Sequence, residues 1–172
     1  MPTTLLLDKE EMTRILERLA CEVLERHGQC ERVMLVGIER RGADLARRLG
    51  ALMQQKLQRP LPLGTLDINL YRDDWTSLEG KPHTAPVDNA EIILIDDVLF
   101  SGRTIRAALE ALLDYGRPRK VELLVLVDRG HRELPIQADY IGRSVDTRPQ
   151  EQVDVLLEER DGRDEVLLTA KN

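Results

Sequence analysis

The sequence predicts an α/β fold, in which a mainly parallel sheet is flanked by helices and joined by a flexible loop and a small β-rich C-terminal part. Short buried apolar runs alternate with segments of helical spacing, a pattern typical of right-handed βαβ units. Hydrophobic residues make up 42% of the chain but aromatic residues only 3%, so the core must be mostly aliphatic. A length of 172 residues suits a single domain over residues 1–172.

The first half of the chain predicts two helices and two strands. Asp8 and Glu11 fit a capping box, and a stripe of 3.6-residue period follows them, so a first helix begins there. The stripe consists of Met12, Ile15, Leu16, Leu19, Val23 and Leu24. The apolar run Val33–Ile38 predicts a buried strand, and residues 42–57 return to helical spacing. Alternating apolar side chains at Leu66, Ile68 and Leu70 indicate a half-buried strand.

A long polar loop divides the two halves. Residues 72–89 contain two prolines and a glycine, and loops of that length in small domains are usually functional or disordered. Residues 92–95 predict a buried strand, followed by a helix from about 103 to 115 that ends at Gly116. Residues 121–127 predict another buried strand. Residues 153–157 and 166–168 predict two short strands at the C-terminus.

Composition excludes several classes of protein. The net charge of −6 argues against non-specific nucleic-acid binding through bulk electrostatics. The N-terminal residues carry no basic region or long apolar run, and nowhere does an apolar run approach the roughly 20 residues of a membrane span. Cys21 and Cys30 fit neither a disulfide framework nor a metal site. These features predict a cytoplasmic protein without a membrane partner.

The most informative segment is residues 92–104, in which a predicted strand ends in the carboxylates Asp96 and Asp97. The rest of this segment forms a loop that opens a helix: Val98, Leu99, Phe100, Ser101, Gly102, Arg103 and Thr104. Ligands of parallel α/β sheets bind beyond the carboxyl ends of strands, and a helix start presents free amide groups to a phosphate. Carboxylates there need hydroxyl donors. A ribose 5-phosphate satisfies both demands.

This segment resembles the phosphoribosyl pyrophosphate (PRPP) signature of type I phosphoribosyltransferases. A purely structural strand–turn–helix is the alternative. The loop with Arg40 and Arg41 resembles the one that holds pyrophosphate in that family, although by composition alone it reads as a solvated loop. Arg72 opens the long polar loop, which resembles the catalytic loop that closes over PRPP.

Four segments narrow the resemblance to the pyrimidine operon regulator (PyrR) family, which has uracil phosphoribosyltransferase activity. They are LVGIERRG, LDINLYRDD, IDDVLFSGRTIRAALEAL and VLVDRGHRELPIQADYIG. The resemblance implies a uracil pocket formed by Val127, Asp128, Arg129 and Gly130. Purine enzymes commonly carry an acid where this chain has Phe100, and the PyrR family usually carries Tyr. His131 is expected to hold loop conformation or to contact a neighbouring chain.

The implied reaction converts uracil and PRPP to UMP and pyrophosphate. Asp96 and Asp97 would hold the ribose hydroxyls, and Arg41 and Arg72 would stabilise the leaving group. The resemblance implies Mg²⁺ as cofactor, held mainly by PRPP and water rather than by protein ligands.

The alternative function is a UMP-sensing regulator that binds pyrimidine-operon leader mRNA. In the resembled family a Thr and a His of the first helix contact RNA, and the matching positions here carry Glu17 and Cys21. An acid facing RNA phosphates is unfavourable, although Arg14, Arg18, Arg143 or oligomerisation could compensate. A homo-oligomer, a dimer or larger, is also expected.

Overall fold

Nine strands and four helices make up the parts of the chain that the computed structural model describes, residues 2–68, 75–77 and 87–170. Six of the strands form one sheet, in the order β4-β3-β2-β5-β6-β7. They are β2 (Val33–Ile38), β3 (Leu63–Leu66), β4 (Trp75–Ser77), β5 (Glu91–Leu99), β6 (Lys120–Asp128) and β7 (Tyr140–Ser144). Five of these strands are parallel, and β4 runs antiparallel to β3.

A second, three-stranded antiparallel sheet joins the two ends of the chain. Its order is β1-β9-β8, where β1 is Thr3–Leu7, β8 is Glu151–Leu156 and β9 is Glu165–Ala170. The short helix α4 (Glu158–Asp161) lies between β8 and β9. This arrangement matters for the site because it carries the C-terminal segment onto the larger sheet.

Three longer helices cover the six-stranded sheet. They are α1 (Lys9–His27), α2 (Arg41–Leu57) and α3 (Arg103–Leu113). The capping box that begins α1 is present, because the Asp8 carboxylate accepts from the Glu11 amide at 2.8 Å and the Glu11 carboxylate from the Asp8 amide at 3.0 Å. One hydrophobic cluster packs α1, α2 and the small sheet against one face, and a second packs α3 against the other. None of the helices within the described ranges could span a bilayer.

The predicted fold class is confirmed, and the strand Val33–Ile38 begins and ends where the pattern placed it. The strand predicted around Leu66 is shifted, since β3 ends at that residue and Leu70 lies outside the described residues. The predicted loop over 72–89 contains the strand β4, whose backbone pairs with β3. Only residues 75–77 and 87–89 of that segment are described.

Two strands and one helix end differ from the sequence predictions for physical reasons. The pattern missed β1 and β7, because each is defined by pairing with a distant strand rather than by its own periodicity. Helix α3 ends at Leu113 with Asp114 as its cap, two residues before Gly116. Gly116 is needed for close approach instead, since a Cβ there would lie 2.7 Å from the Asp88 carboxylate.

Candidate active site

Three loops meet at the carboxyl ends of β2, β5 and β6, the edge of a parallel sheet where ligands bind. Residue Gly37 of β2 is in register with Ile95 of β5, and Leu99 of β5 is in register with Asp128 of β6. The loop after β2 therefore lies beside the start of the Asp96–Asp97 pair. The loop after β6 lies beside the end of β5.

The two carboxylates lie within β5 rather than after it, because the strand continues through Asp96 and Asp97 to Leu99. Asp96 is only 7% exposed, and Asp97 is partly buried. The Asp97 amide donates to the Asp96 carboxylate at 2.9 Å, and the Val98 amide donates to the Asp97 carboxylate at 2.8 Å. Each acid thus binds the next amide of its own strand, which sets the side-chain directions locally.

Burial gives this pair unusual electrostatics. It raises the pKa of Asp96 well above the ordinary range, and the charge of Asp97 raises it further. Burial also raises the pKa of Asp97, although its hydrogen bonds and the charge of Arg41 oppose that rise. Hydroxyl donors or positive charge brought to the pair by a ligand would favour the ionised carboxylates. The pair is therefore arranged to respond to a polar or cationic group.

The loop after β5 turns directly into α3. Gly102 is the residue before the helix, and its φ of +90° is a left-handed conformation that favours glycine. It makes no side-chain cap, so the first amides of α3 keep no capping partner from that residue. Ser101 accepts a hydrogen bond from the Arg103 amide at 3.3 Å. Arg103 and Thr104 are exposed, and Arg103 pairs with Glu133 at 2.7 Å.

The residues preceding that turn differ in exposure. Leu99 is buried, Val98 is partly buried, and Phe100 is 39% exposed. The Phe100 ring lies under the guanidinium of Arg129, whose central carbon is 4.1 Å from the ring centre. The loops after β5 and β6 are thus joined by a direct side-chain contact.

The loop after β2 approaches β5 very closely. A Cβ on Gly42 would lie 2.4 Å from the Ile95 carbonyl oxygen, and one on Gly37 would lie 2.4 Å from the Cα of Ala43. The peptide bond between Glu39 and Arg40 is cis. Only glycine lets the start of α2 lie against the strand that carries the acid pair.

Arg40 and Arg41 are placed differently at the start of α2. Arg40 is exposed and precedes the helix without capping it through its side chain. Arg41 lies close enough for its charge to act on Asp97, and its Nη2 atom is 3.2 Å from the Asp161 carboxylate. Among the described residues, no hydrogen-bond partner is found for its buried Nε atom. Arg41 therefore keeps donor capacity beside the acid pair.

The loop after β6 begins from a buried strand end. Val127 is fully buried, and Arg129 is 6% exposed with bonds to the Thr147 hydroxyl at 3.2 Å and the Arg148 carbonyl at 3.0 Å. Gly130 has a φ of +73° and donates its amide to Asp128 at 3.0 Å. These bonds hold the loop in one conformation.

Sequence reasoning missed Arg132, which ties two of the loops together. Its guanidinium donates to the Asp128 carboxylate at 2.6 Å, the Phe100 carbonyl at 2.9 Å and the Ile136 carbonyl at 2.8 Å. Its proximity in sequence to Asp128 was the one available signal. His131 lies 2.6 Å from the Thr147 carbonyl and packs edge-on against Phe100, contacts that favour the predicted conformational role.

The predicted residues of the three loops thus come together, with one exception. Arg72 lies outside the described residues, so its predicted position beside the leaving group is neither supported nor contradicted. Arg103 reaches toward Glu133 at the surface. The described ranges hold no group of three or more His, Cys, Asp or Glu side chains suited to a metal ion.

Comparison with known proteins gives a consistent result. Residues 3–158 match the family model described as the phosphoribosyl transferase domain. The bifunctional protein PyrR of Syntrophobacter fumaroxidans is 49% identical, covering 94% of this chain and 90% of the relative. The corresponding protein of Streptomyces coelicolor is 51% identical, with 96% and 89% covered, and that of Enterococcus faecalis is 46% identical, with 100% and 99% covered.

Solved structures share the fold at low sequence identity. A hypoxanthine phosphoribosyltransferase from Staphylococcus aureus superposes with a TM-score of 0.70 at 21% identity, covering 98% of this chain and 91% of that one. The hypoxanthine phosphoribosyltransferase of Trypanosoma cruzi gives 0.74 at 13% identity, covering 98% and 97%. Both likenesses concern the fold alone.

Proposed function

This chain belongs to the phosphoribosyl transferase family and, within it, to the bifunctional PyrR proteins, and from that premise we propose that it converts uracil and PRPP to UMP and pyrophosphate. The observation that carries the proposal is the buried pair Asp96 and Asp97, lying between a start of helix that suits a phosphate and a loop that suits a base. The single-domain organisation over residues 1–172 is part of the same proposal.

The sugar end of PRPP would bind at β5 and the start of α3. The amides and hydroxyls of residues 101–104, with Ser101 and Thr104 as side-chain donors, would hold the 5-phosphate. Asp96 and Asp97 would accept from the two ribose hydroxyls. This assignment uses each group in the chemical form that its surroundings favour, because buried carboxylates need donors.

The diphosphate end would lie at the start of α2. The loop of residues 39–41, which we call the pyrophosphate loop, brings Arg40, Arg41 and the free amides of a helix start to one place. The donor capacity left on Arg41 fits an anion there. Arg72 is proposed to meet the same leaving group from the long loop.

Mg²⁺ fits this donor set as a companion of the diphosphate. When bound, it would neutralise charge on the leaving group, while phosphate oxygens and water supply most of its ligands. Asp96 and Asp97 are the nearest protein carboxylates that could assist. The protein itself would contribute orientation through Arg41 and the glycine-mediated contact of α2 with β5.

The base would lie over the loop of Val127, Asp128, Arg129 and Gly130. Backbone donors and acceptors there would read the edge of uracil, and a base that left them unpaired would bind poorly. Phe100 has no acidic group to serve a purine. Its ring, held by Arg129 at 4.1 Å, would instead border the pocket.

Catalysis would come from positioning and electrostatics. As the bond to pyrophosphate breaks, positive charge develops at the sugar and negative charge on the leaving group. Ionised Asp96 and Asp97 would favour the first, and Arg41 and Arg72 the second. No protein nucleophile is required by this reaction.

The second candidate function is UMP-dependent binding of leader mRNA, favoured by the word "bifunctional" in the names of the relatives. Glu17 and Cys21 are exposed one turn apart on α1. Arg18 donates to the Gly142 carbonyl at 2.5 Å and pairs with Glu22, so part of its capacity is engaged within the chain. Arg143 lies 3.9 Å from Glu11. Compensation would therefore depend on Arg14 or on oligomerisation.

A homo-oligomer, a dimer or larger, remains part of the proposal, as does a cytoplasmic location. The free thiols of Cys21 and Cys30 are compatible with a reducing compartment.

The test of the main proposal is a base panel. Purified protein, PRPP and Mg²⁺ are incubated with uracil, orotate, hypoxanthine or adenine, and nucleotide formation is followed for each. We expect UMP formation to dominate. Faster conversion of hypoxanthine than of uracil would refute the assignment.

A further inference from the structure

The short helix α4 docks onto the pyrophosphate loop through one side chain, Arg160. Its Nε atom donates to the Asp44 carboxylate at 2.5 Å, and its Nη2 atom donates to the Arg40 carbonyl at 3.3 Å. The same Nη2 atom is 3.8 Å from the Glu39 carboxylate. Arg160 thus contacts both the loop and the first turn of α2, from a position about 120 residues away in sequence.

The contact with Asp44 bears on anion binding. Asp44 lies in the first turn of α2 and is 4% exposed. A buried carboxylate beside a helix start would repel a diphosphate unless cations neutralise it. Arg160 and Arg47, which is 2.9 Å away, supply those cations.

The contact with the Arg40 carbonyl bears on loop geometry. In the trans peptide between Arg40 and Arg41, the carbonyl and the next amide point in opposite directions. A bond that holds the carbonyl toward α4 therefore also fixes the direction of the Arg41 amide. That amide belongs to the first turn of α2, where donors have no partner within the helix.

We propose that Arg160 is a positioning residue for the pyrophosphate loop, acting through Asp44 and the Arg40 carbonyl without touching substrate. The inference rests on the proposed function, because it assumes that a diphosphate binds at residues 39–41. It predicts that losing Arg160 weakens binding of diphosphate-bearing ligands and leaves binding of UMP nearly unchanged.

Arg48 offers a matched control for simple docking of the C-terminal segment. It also lies on α2 and bonds to the same segment, to Glu159 at 2.8 and 2.5 Å and to Asp164 at 3.0 and 2.7 Å. Its bonds within the described chain go to these two acids and to none of residues 39–41. Arg48→Ala should therefore loosen the segment without disturbing the pyrophosphate loop.

The experiment compares Arg160→Ala, Arg160→Lys and Arg48→Ala with the full-length wild-type chain. Calorimetry with Mg²⁺ measures the Kd of pyrophosphate, PRPP and UMP, thermal melting gives Tm, and steady-state assays give kcat and both KM values. For Arg160→Ala we expect the Kd of pyrophosphate and the KM of PRPP to rise roughly 10-fold or more, the size of effect that misplacement of a binding group produces. Arg160→Lys should recover part of this loss.

We expect Arg48→Ala to lower Tm at least as much as Arg160→Ala while leaving the Kd of pyrophosphate within about 2-fold of wild type. Equal losses of pyrophosphate affinity in both variants would overturn the inference, because docking in general would then explain them. Wild-type affinity in Arg160→Ala would overturn it as well. A wild-type chain that binds pyrophosphate but does not convert uracil would refute the proposed function alone, since the binding comparison still decides the role of Arg160.

Discussion

Replacing both Asp96 and Asp97 by Asn is the sharpest test of the mechanism, because the substitution removes charge and keeps size. Each Asn retains an oxygen that can accept the strand amide now bound at 2.9 or 2.8 Å. The local turn of the backbone should therefore survive. Loss of activity could then be assigned to the missing charges.

The expected magnitude follows from the burial of the pair. A hydrogen bond to a charged group is worth about 1.5–3 kcal/mol, and each 1.36 kcal/mol changes a rate about tenfold. Two such bonds lost independently would lower kcat/KM by about 10²- to 10⁴-fold. Because Asp96 and Asp97 act as a unit, their effects are not additive, so we expect a fall of roughly 10²-fold or more.

Stability should move in the opposite direction. Burial raises the pKa of both carboxyls in the folded chain above the unfolded value of about 3.9. Their contribution to stability is therefore fully present below about pH 4 and is lost as pH rises through the raised pKa values. The double variant cannot ionise at these positions, so it should be at least as stable as wild type at neutral pH, with the advantage shrinking toward pH 4.

The assay measures UMP formation from uracil and PRPP together with Tm across that pH range. Asp114→Asn, which removes an exposed carboxylate after the far end of α3, is the matched control and should leave both quantities unchanged. Turnover of the double variant within about 2-fold of wild type would remove the carboxylates from the mechanism. A stability deficit that grows with pH would refute the electrostatic reasoning.

Three further predictions concern other parts of the chain. Arg72→Ala should impair turnover of PRPP more than binding of UMP, which lacks the diphosphate; poor UMP binding in calorimetry with normal turnover would reverse that assignment. Tyr140→Phe should lower the free energy of unfolding by about 1–3 kcal/mol in urea titrations, because the buried Tyr140 hydroxyl donates to the buried Glu122 carboxylate; an unchanged urea midpoint would contradict this. Glu17 and Cys21 each cost about 1–3 kcal/mol if they replace RNA contacts, so leader RNA should bind roughly 30-fold more weakly than in relatives with Thr and His there; nanomolar, UMP-enhanced binding in a filter titration at stated salt would show that compensation exists.

Local patterns were enough to predict the segment with the most chemistry. The apolar run, the adjacent acids and the glycine before α3 lie within a dozen residues, and their order predicts a strand, a turn and a helix start. The capping box of Asp8 and Glu11 was predictable for the same reason. Such features depend on backbone preferences and periodicity, which neighbouring residues determine.

What the sequence by itself determined about this protein is the fold class, the order of most elements and the residues of three loops. Tertiary structure alone decided that α4 lies against the pyrophosphate loop, that Arg41 lies between Asp97 and Asp161, and that Arg132 joins the loops after β5 and β6. The pairing of β1 with β9 belongs to the same group. These contacts join residues far apart in sequence or depend on how loops pack, and no local periodicity encodes them, because each exists only once the two sheets and their helices have buried a common core.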